Sequence, residues 1–159
     1  MLKYVNTDVT FQEFPDEVAL CINISNCPCH CPGCHSSYLV KDIGELLTKD
    51  TIDEFMDKYH EEITLIGFMG GDDAPFEVSY FAQYIKERYN IKVGWYSGKQ
   101  MFPNKSDKTF PFQYFDYIKL GPYIEALGGL KSKNTNQRMF SIKDGVLIDI
   151  TYRFRNKIL

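Results

Sequence analysis

The sequence has no long apolar run, and this excludes the simplest membrane-spanning architecture. Its longest mostly apolar stretch, residues 63–71, is far shorter than the roughly 20 residues that a membrane-spanning helix needs. Residues 1–14 contain acidic side chains and no apolar core, so they do not predict a secretory signal peptide. We therefore expect a cytoplasmic protein that does not bind membranes.

The composition excludes a disordered chain, because hydrophobic residues make up 44% and aromatic residues 15% of the 159 positions. This length suits a single domain over residues 1–159. The net charge of −3 favours neither a nucleic-acid nor a membrane partner. However, residues 1–80 carry 4 Lys/Arg and 15 Asp/Glu, whereas residues 81–159 carry 14 and 6. Either the protein has two differently charged solvated faces, or its second half offers a basic surface to an anionic partner.

Four of the five cysteines are crowded into the segment Cys27-Pro28-Cys29-His30-Cys31-Pro32-Gly33-Cys34-His35. Crowded thiols in odd number make a poor disulfide framework, and in a chain without an export signal they are more typical of a metal or redox site. The prolines and the glycine indicate a loop. No second group of ligands follows, since the only later histidine is His60. A zinc ion would need all four ligands from this segment, which is geometrically tight.

An iron–sulfur cluster is larger than a zinc ion, so closely spaced cysteines on one curled loop can reach its separate irons. Cys27, Cys31 and Cys34 have the spacing C-x3-C-x2-C. Three cysteines would bind three irons of a [4Fe–4S] cluster and leave the fourth iron open. Cys29 lies between two of these residues and could compete as a ligand. Cys21 lies on the preceding predicted strand, where we expect it to be a small packing residue.

Hydrophobic periodicity predicts strands that alternate with helices, and therefore an α/β fold with an open parallel sheet resembling part of a (βα) barrel. The cysteine loop follows the first core strand. Thr51 and Glu54 match a capping box at the start of the first helix. The predicted strands cover residues 18–25, 63–69, 91–96 and 115–120. The predicted helices cover about residues 51–59 and a segment that starts near Pro75. Residues 99–111 are predicted to form a loop, and a C-terminal hairpin is predicted to pair residues 138–142 with 146–151.

Chemistry-bearing residues follow three of the predicted strands. The cysteine loop, Gly70-Gly71-Asp72 and Ser97-Gly98 should meet at one edge of the sheet, because right-handed crossovers bring the carboxyl ends of parallel strands together. Parallel α/β proteins bind ligands at that edge. Glycines let a backbone approach a ligand closely, but a Gly-Gly pair is also common in ordinary turns. Ser97 could likewise be an ordinary serine in a surface turn.

The cysteine triplet resembles the signature of the radical S-adenosylmethionine (SAM) superfamily, with Cys31 rather than Cys29 as the middle residue. This resemblance implies that SAM binds the open iron through its amino and carboxylate groups. It also implies that an electron from the cluster cleaves SAM to methionine and a 5′-deoxyadenosyl radical. The protein then supplies the positioning and no general base.

The same resemblance implies a set of SAM contacts. In the superfamily the turn that corresponds to Gly70-Gly71-Asp72 reads Gly-Gly-Glu and holds the SAM amino group, and Asp72 is one methylene shorter than that glutamate. Its carboxylate could still reach, or backbone carbonyls could replace it. Related proteins often place a hydroxyl near the position of Ser97. Gly33, Cys34 and His35 would lie beside SAM, although His35 could also be an ordinary loop residue.

Within the superfamily the chain is similar to the activating proteins of anaerobic ribonucleoside-triphosphate reductases. The similarity covers about residues 17–142 and rests on the cysteine segment, the Gly70-Gly71-Asp72 turn and a late Asn136-Gln137-Arg138 stretch. It implies that the adenosyl radical takes a hydrogen atom from a glycine of the large reductase subunit, and that a flavodoxin-like or similar protein donates the electron. Arg138 would contact the partner or only cap a strand. The family's glycine-rich segment before the first strand reads Phe14-Pro15-Asp16-Glu17 here.

Two other classes remain open. One is a different radical SAM enzyme, either another glycyl-radical activase or a small-molecule synthase of the deazapurine type. The other is a non-enzymatic zinc- or iron–sulfur-binding interaction module. Such a module needs four ligands from residues 27–35, so it would require Cys29 as well.

Overall fold

The computed structural model describes residues 1–25, 41–99 and 110–154. In these ranges eight strands form an open sheet, and two α-helices pack on one of its faces. The elements are β1 (Lys3–Thr10), β2 (Ala19–Ile24), β3 (Glu45–Leu46), α1 (Lys49–Tyr59), β4 (Leu65–Met69), α2 (Pro75–Tyr89), β5 (Lys92–Tyr96), β6 (Tyr117–Leu120), β7 (Arg138–Lys143) and β8 (Val146–Asp149), with short 3-10 helices at Phe112–Tyr114 and Thr151–Phe154.

The strands lie in the order β3-β1-β2-β4-β5-β6-β7-β8. The central strands β2, β4, β5 and β6 are parallel, and the β7–β8 hairpin extends the sheet on one side. The predicted α/β class, the open sheet and the C-terminal hairpin are therefore confirmed. The complete sheet is mixed, because β1 and β3 add two antiparallel strands on the other side that the periodicity did not predict.

The start of α1 differs from the prediction. The helix begins at Lys49 and is capped by Thr48, whose Oγ1 accepts a hydrogen bond of 3.1 Å from the backbone N–H of Thr51. The predicted capping box of Thr51 and Glu54 was wrong, because a threonine three residues earlier already satisfies the first-turn amide. The second helix begins at Pro75 as predicted. Neither α-helix in the described ranges is long and apolar enough to cross a bilayer.

The larger hydrophobic cluster lies between the helices and the sheet. Leu20, Ile22 and Ile24, the apolar side of β2, are completely buried in it. Trp95 of β5 is also completely buried, and its ring stacks on Phe110 at a centroid distance of 6.0 Å. This packing fixes β2 and β5, whose carboxyl ends border the candidate site.

The opposite face of the sheet, here called the helix-free face because neither α-helix of the described residues packs on it, is covered by loops and by the 3-10 helix Thr151–Phe154. Phe14 is completely buried there, and its ring lies over two paired backbone positions, Gly67 of β4 and Gly94 of β5. A Cβ at Gly67 would lie 2.6 Å from Phe14 Cε2, and one at Gly94 would lie 2.3 Å from Phe14 Cε1. Both glycines are therefore needed for close packing. The cluster on this face contains Phe14, Ala19, Cys21, Leu65, Leu130, Met139, Ile150 and Phe154.

Cys21 has the surroundings expected of a packing residue. It is 2% exposed within the cluster on the helix-free face, and it forms no disulfide. Its Sγ lies 3.6 Å from Thr10 Oγ1. Burial raises the pKa of the thiol to about 12, so Cys21 is neutral and a poor metal ligand at physiological pH.

Candidate functional site

The carboxyl ends of β2, β4 and β5 lie side by side at one edge of the sheet. In the parallel ladders Asn23 is opposite Met69, and Met69 is opposite Tyr96. The cysteine segment follows β2, the Gly70-Gly71-Asp72 turn follows β4, and Ser97 follows β5 directly. Among the described residues, the predicted site residues of the Gly70-Gly71-Asp72 turn and Ser97 therefore lie together at one edge of the sheet.

Several predicted site residues lie outside the described residues, namely Cys27, Cys29, Cys31, Gly33, Cys34 and His35. The segment that carries them starts from a fixed position. Ser25, the last described residue before it, is buried, and its backbone N–H donates a hydrogen bond of 2.9 Å to the carbonyl of Lys3. The described chain therefore reaches the carboxyl edge of the sheet at Ser25, two residues before Cys27.

Conformation and packing both require glycine in the turn after β4. Gly70 and Gly71 have φ angles of 110° and 92°, which favour glycine. A Cβ on Gly70 would lie 3.2 Å from the carbonyl oxygen of Ile24, and one on Gly71 would lie 2.6 Å from Val78 Cγ2. The carbonyl of Gly70 also accepts a hydrogen bond of 2.7 Å from Trp95 Nε1. The turn is thus packed tightly between β2 and α2, beside the start of the cysteine segment.

Asp72 connects this turn to the loop after β5. One of its carboxylate oxygens accepts a hydrogen bond from the hydroxyl of Ser97, and the other accepts one of 2.8 Å from the backbone N–H of Gly98. The Ser97 Oγ accepts a further hydrogen bond of 3.1 Å from the N–H of Lys99. Ser97 is completely buried, so the alternative of a serine in a surface turn was wrong.

The sequence analysis did not predict a buried lysine at the same edge. Lys119 of β6 is 6% exposed, its Nζ donates a hydrogen bond of 3.0 Å to the carbonyl of Gly121, and it lies 5.2 Å from the centre of the Tyr96 ring. The signal for it was a lysine between two apolar residues, Ile118 and Leu120, in a predicted buried strand. The carboxyl edge thus carries a buried lysine side chain one residue before the end of β6.

The late Asn136-Gln137-Arg138 stretch forms hydrogen bonds with the loop after β6 and with β8. The Asn136 amide donates a hydrogen bond of 3.1 Å to the carbonyl of Pro122. Arg138 donates from Nε and Nη2 to Asp149 across the hairpin, at 2.8 Å each. Burial would raise the pKa of Asp149, but hydrogen bonds from Thr151 and Arg138 outweigh it and lower that pKa. Of the two roles considered for Arg138, this geometry supports the structural one.

The segment Phe14-Pro15-Asp16-Glu17, where the resemblance to the activating proteins implies a glycine-rich stretch, places Glu17 at the opposite edge of the sheet. Glu17 is 6% exposed and accepts hydrogen bonds from Thr64 Oγ1 at 2.8 Å, Lys92 Nζ at 2.7 Å and the Tyr117 hydroxyl at 3.0 Å. It thereby joins the amino ends of β4, β5 and β6. Glu17 therefore lies away from the candidate site.

The donor chemistry of the chain fits an iron–sulfur cluster. Within residues 1–25, 41–99 and 110–154, no group of three His, Cys, Asp or Glu side chains is placed to hold a metal ion. The cysteine segment instead offers four thiols, and thiolates are the ligands that iron–sulfur clusters take. Ser25, the last described residue before these thiols, lies at the edge where parallel α/β proteins bind their ligands.

Comparison with known proteins gives one match. A family model described as a 4Fe-4S single cluster domain matches residues 18–152, which include the cysteine segment, the Gly70-Gly71-Asp72 turn and the C-terminal hairpin. Searches of curated proteins and of solved structures found no significant match. Because the matched range spans most of the chain and contains the thiols, the protein belongs to the 4Fe-4S single cluster domain family and is an iron–sulfur protein.

Proposed function

We propose that this protein is a radical SAM enzyme that generates a glycyl radical on the large subunit of an anaerobic ribonucleoside-triphosphate reductase. The observation that carries the proposal is the Cys27, Cys31 and Cys34 triplet in a chain of the 4Fe-4S single cluster family. The fold supports it, because the triplet follows the first parallel strand and the Gly70-Gly71 turn follows the next strand in the sheet.

The three cysteines would hold the cluster and leave one iron for SAM. When bound, the cluster supplies the electron that breaks the bond between the SAM sulfur and its 5′ carbon, releasing methionine. The residues of the chain then bind and orient SAM. The fixed turn of Gly70 and Gly71 would present its backbone to the SAM amino group. Gly33 and His35 would lie beside SAM, next to the third ligand.

The closure of the helix-free face supports a substrate that approaches from the carboxyl edge. Phe14, Leu130 and Phe154 are buried on that face, so among the described residues side chains of the chain itself cover this part of the sheet. A small-molecule enzyme usually encloses its substrate in a pocket, whereas a protein loop can reach an edge. A glycine in an exposed loop of a partner protein suits this geometry.

We expect the reduced, cluster-loaded protein to form a glycyl radical on the reductase when SAM is present. The hydrogen atom should move from the glycine Cα to the 5′ carbon of the adenosyl group. Deuterium from a reductase labelled at that glycine should therefore appear in 5′-deoxyadenosine, as measured by mass spectrometry. The control is a reductase with alanine in place of the glycine, which should give no radical.

Two results would contradict this function in different ways. Cleavage of SAM without deuterium transfer from the glycine would indicate a radical SAM enzyme with another substrate. A bound cluster without any cleavage of SAM would indicate an iron–sulfur interaction module. The pair of measurements therefore separates the proposed substrate from the proposed chemistry.

A further inference from the structure

We propose that Asp72 is a positioning residue that braces the turn after β4 through Ser97, and that it is not the charged partner of the SAM amino group. The inference rests on the proposed function, because it concerns how the same edge would hold SAM. It replaces the role that the glutamate of the superfamily turn would imply for this position. The Asp72 carboxylate is directed at the loop after β5 and accepts two hydrogen bonds from that loop.

The carboxylate points from the end of β4 towards the end of β5. Its two oxygens accept hydrogen bonds from the Ser97 hydroxyl and the Gly98 N–H, the latter at 2.8 Å. Ser97 is completely buried, and the N–H of Lys99 donates to its Oγ at 3.1 Å. Three consecutive residues after β5 are thus tied directly or indirectly to this one side chain. Such a network holds two loops in a single relative position.

The backbone of the turn is fixed by the same two strands. The N–H of Gly70 donates a hydrogen bond of 3.1 Å to the carbonyl of Tyr96, and the carbonyl of Gly70 accepts from Trp95 Nε1. The carbonyl of Gly71 accepts a hydrogen bond of 3.0 Å from the N–H of Ala74. Each carbonyl oxygen has a second lone pair, which suits an ammonium donor. The braced backbone can therefore take the SAM amino group without a carboxylate.

A brace and a charged partner need different properties of residue 72. The brace needs hydrogen-bonding atoms at the correct distance and does not need a charge. In Asp72→Asn the amide oxygen can accept from the Gly98 N–H and the amide nitrogen can donate to Ser97 Oγ, so both contacts persist without the charge, although the Ser97 hydroxyl no longer donates to residue 72. In Asp72→Glu the charge remains, but the extra methylene does not fit between the turn and the buried serine. The two substitutions therefore distinguish the two roles.

The test uses the cluster-reconstituted protein and titrates SAM against the EPR signal of the reduced cluster. We expect Asp72→Asn to bind SAM within about threefold of the unsubstituted protein. Asp72→Ala, Asp72→Glu and Ser97→Ala should each weaken SAM binding by about tenfold, because the turn loses its brace. Asp73→Asn removes a charge from the neighbouring residue and is the matched control. A loss in Asp72→Asn as large as in Asp72→Ala would overturn the proposal, and so would tighter binding by Asp72→Glu.

A second measurement does not depend on SAM. Hydrogen exchange of the Gly98 and Lys99 amides should accelerate about tenfold in Asp72→Ala and Ser97→Ala, and should change little in Asp72→Asn. Unchanged exchange in Asp72→Ala would overturn the brace even if SAM binds. If SAM does not change the EPR signal of the cluster in the unsubstituted protein, the proposed function is contradicted. The exchange rates alone then decide whether Asp72 is a brace.

Discussion

Cys31→Ser abolishes the [4Fe–4S] cluster, whereas Cys29→Ser retains it. This is the largest effect that we expect from a single substitution. The two cysteines are separated only by His30, so they share nearly the same surroundings in the sequence. Only Cys31 forms the C-x3-C-x2-C spacing with Cys27 and Cys34. A serine hydroxyl is a poor substitute for a thiolate on iron, so loss of a true ligand should prevent stable assembly.

The measurement is the iron and sulfide content after anaerobic reconstitution, together with the visible absorbance of the cluster. Cys29→Ser is the matched control, since it removes a thiol from the same segment. The opposite pattern, with the cluster lost in Cys29→Ser and kept in Cys31→Ser, would show that the ligand assignment is wrong. Loss of metal in both variants would favour a four-ligand module over a site with an open iron.

Gly94→Ala destabilises the fold by about 1–3 kcal/mol, because it forces a methyl group into a filled position. The added Cβ would lie 2.3 Å from Phe14 Cε1, and the ring cannot move away easily because Phe14 is completely buried. Combining Gly94→Ala with Phe14→Leu should recover part of this loss, since a smaller side chain leaves room. The two substitutions should therefore be strongly non-additive.

Denaturant unfolding of the single and double variants measures these free energies. Gly129→Ala is the control, because a Cβ there would lie 3.8 Å from Gln137 Oε1, which is an ordinary van der Waals contact. We expect that control to change the free energy of unfolding by less than about 0.5 kcal/mol. Equal effects of Gly94→Ala and Gly129→Ala would show that Phe14 does not close the helix-free face.

The parallel core was predictable because its strands carry strong local signals. β4 and β5 are nearly continuous apolar runs bounded by turn residues, and α2 begins at a proline. The strand β1 was not predicted, because its residues Lys3–Thr10 are half exposed and mostly polar. It is a strand because it pairs with β2, and the sequence of β1 alone does not show that pairing. The position of Phe14 could not be predicted, because it depends on two glycines far away in the sequence.

The meeting of the Gly70-Gly71-Asp72 turn and Ser97 at one edge of the sheet was predictable, whereas the hydrogen bonds between them were not. Crossover handedness alone places the residues after β2, β4 and β5 at one edge. The Asp72–Ser97 hydrogen bond joins positions 25 residues apart and depends on the register between β4 and β5. Lys119 was missed because a lone lysine in a short strand is usually exposed. Only the three-dimensional packing shows that it is buried.

The most direct test of this account is EPR of the anaerobically reconstituted, reduced protein with and without SAM. We predict the signal of a reduced [4Fe–4S] cluster whose shape changes when SAM is added, because SAM binds at the iron that Cys27, Cys31 and Cys34 leave open. A cluster signal that SAM does not alter, or tightly bound zinc without any cluster, would contradict the radical SAM assignment.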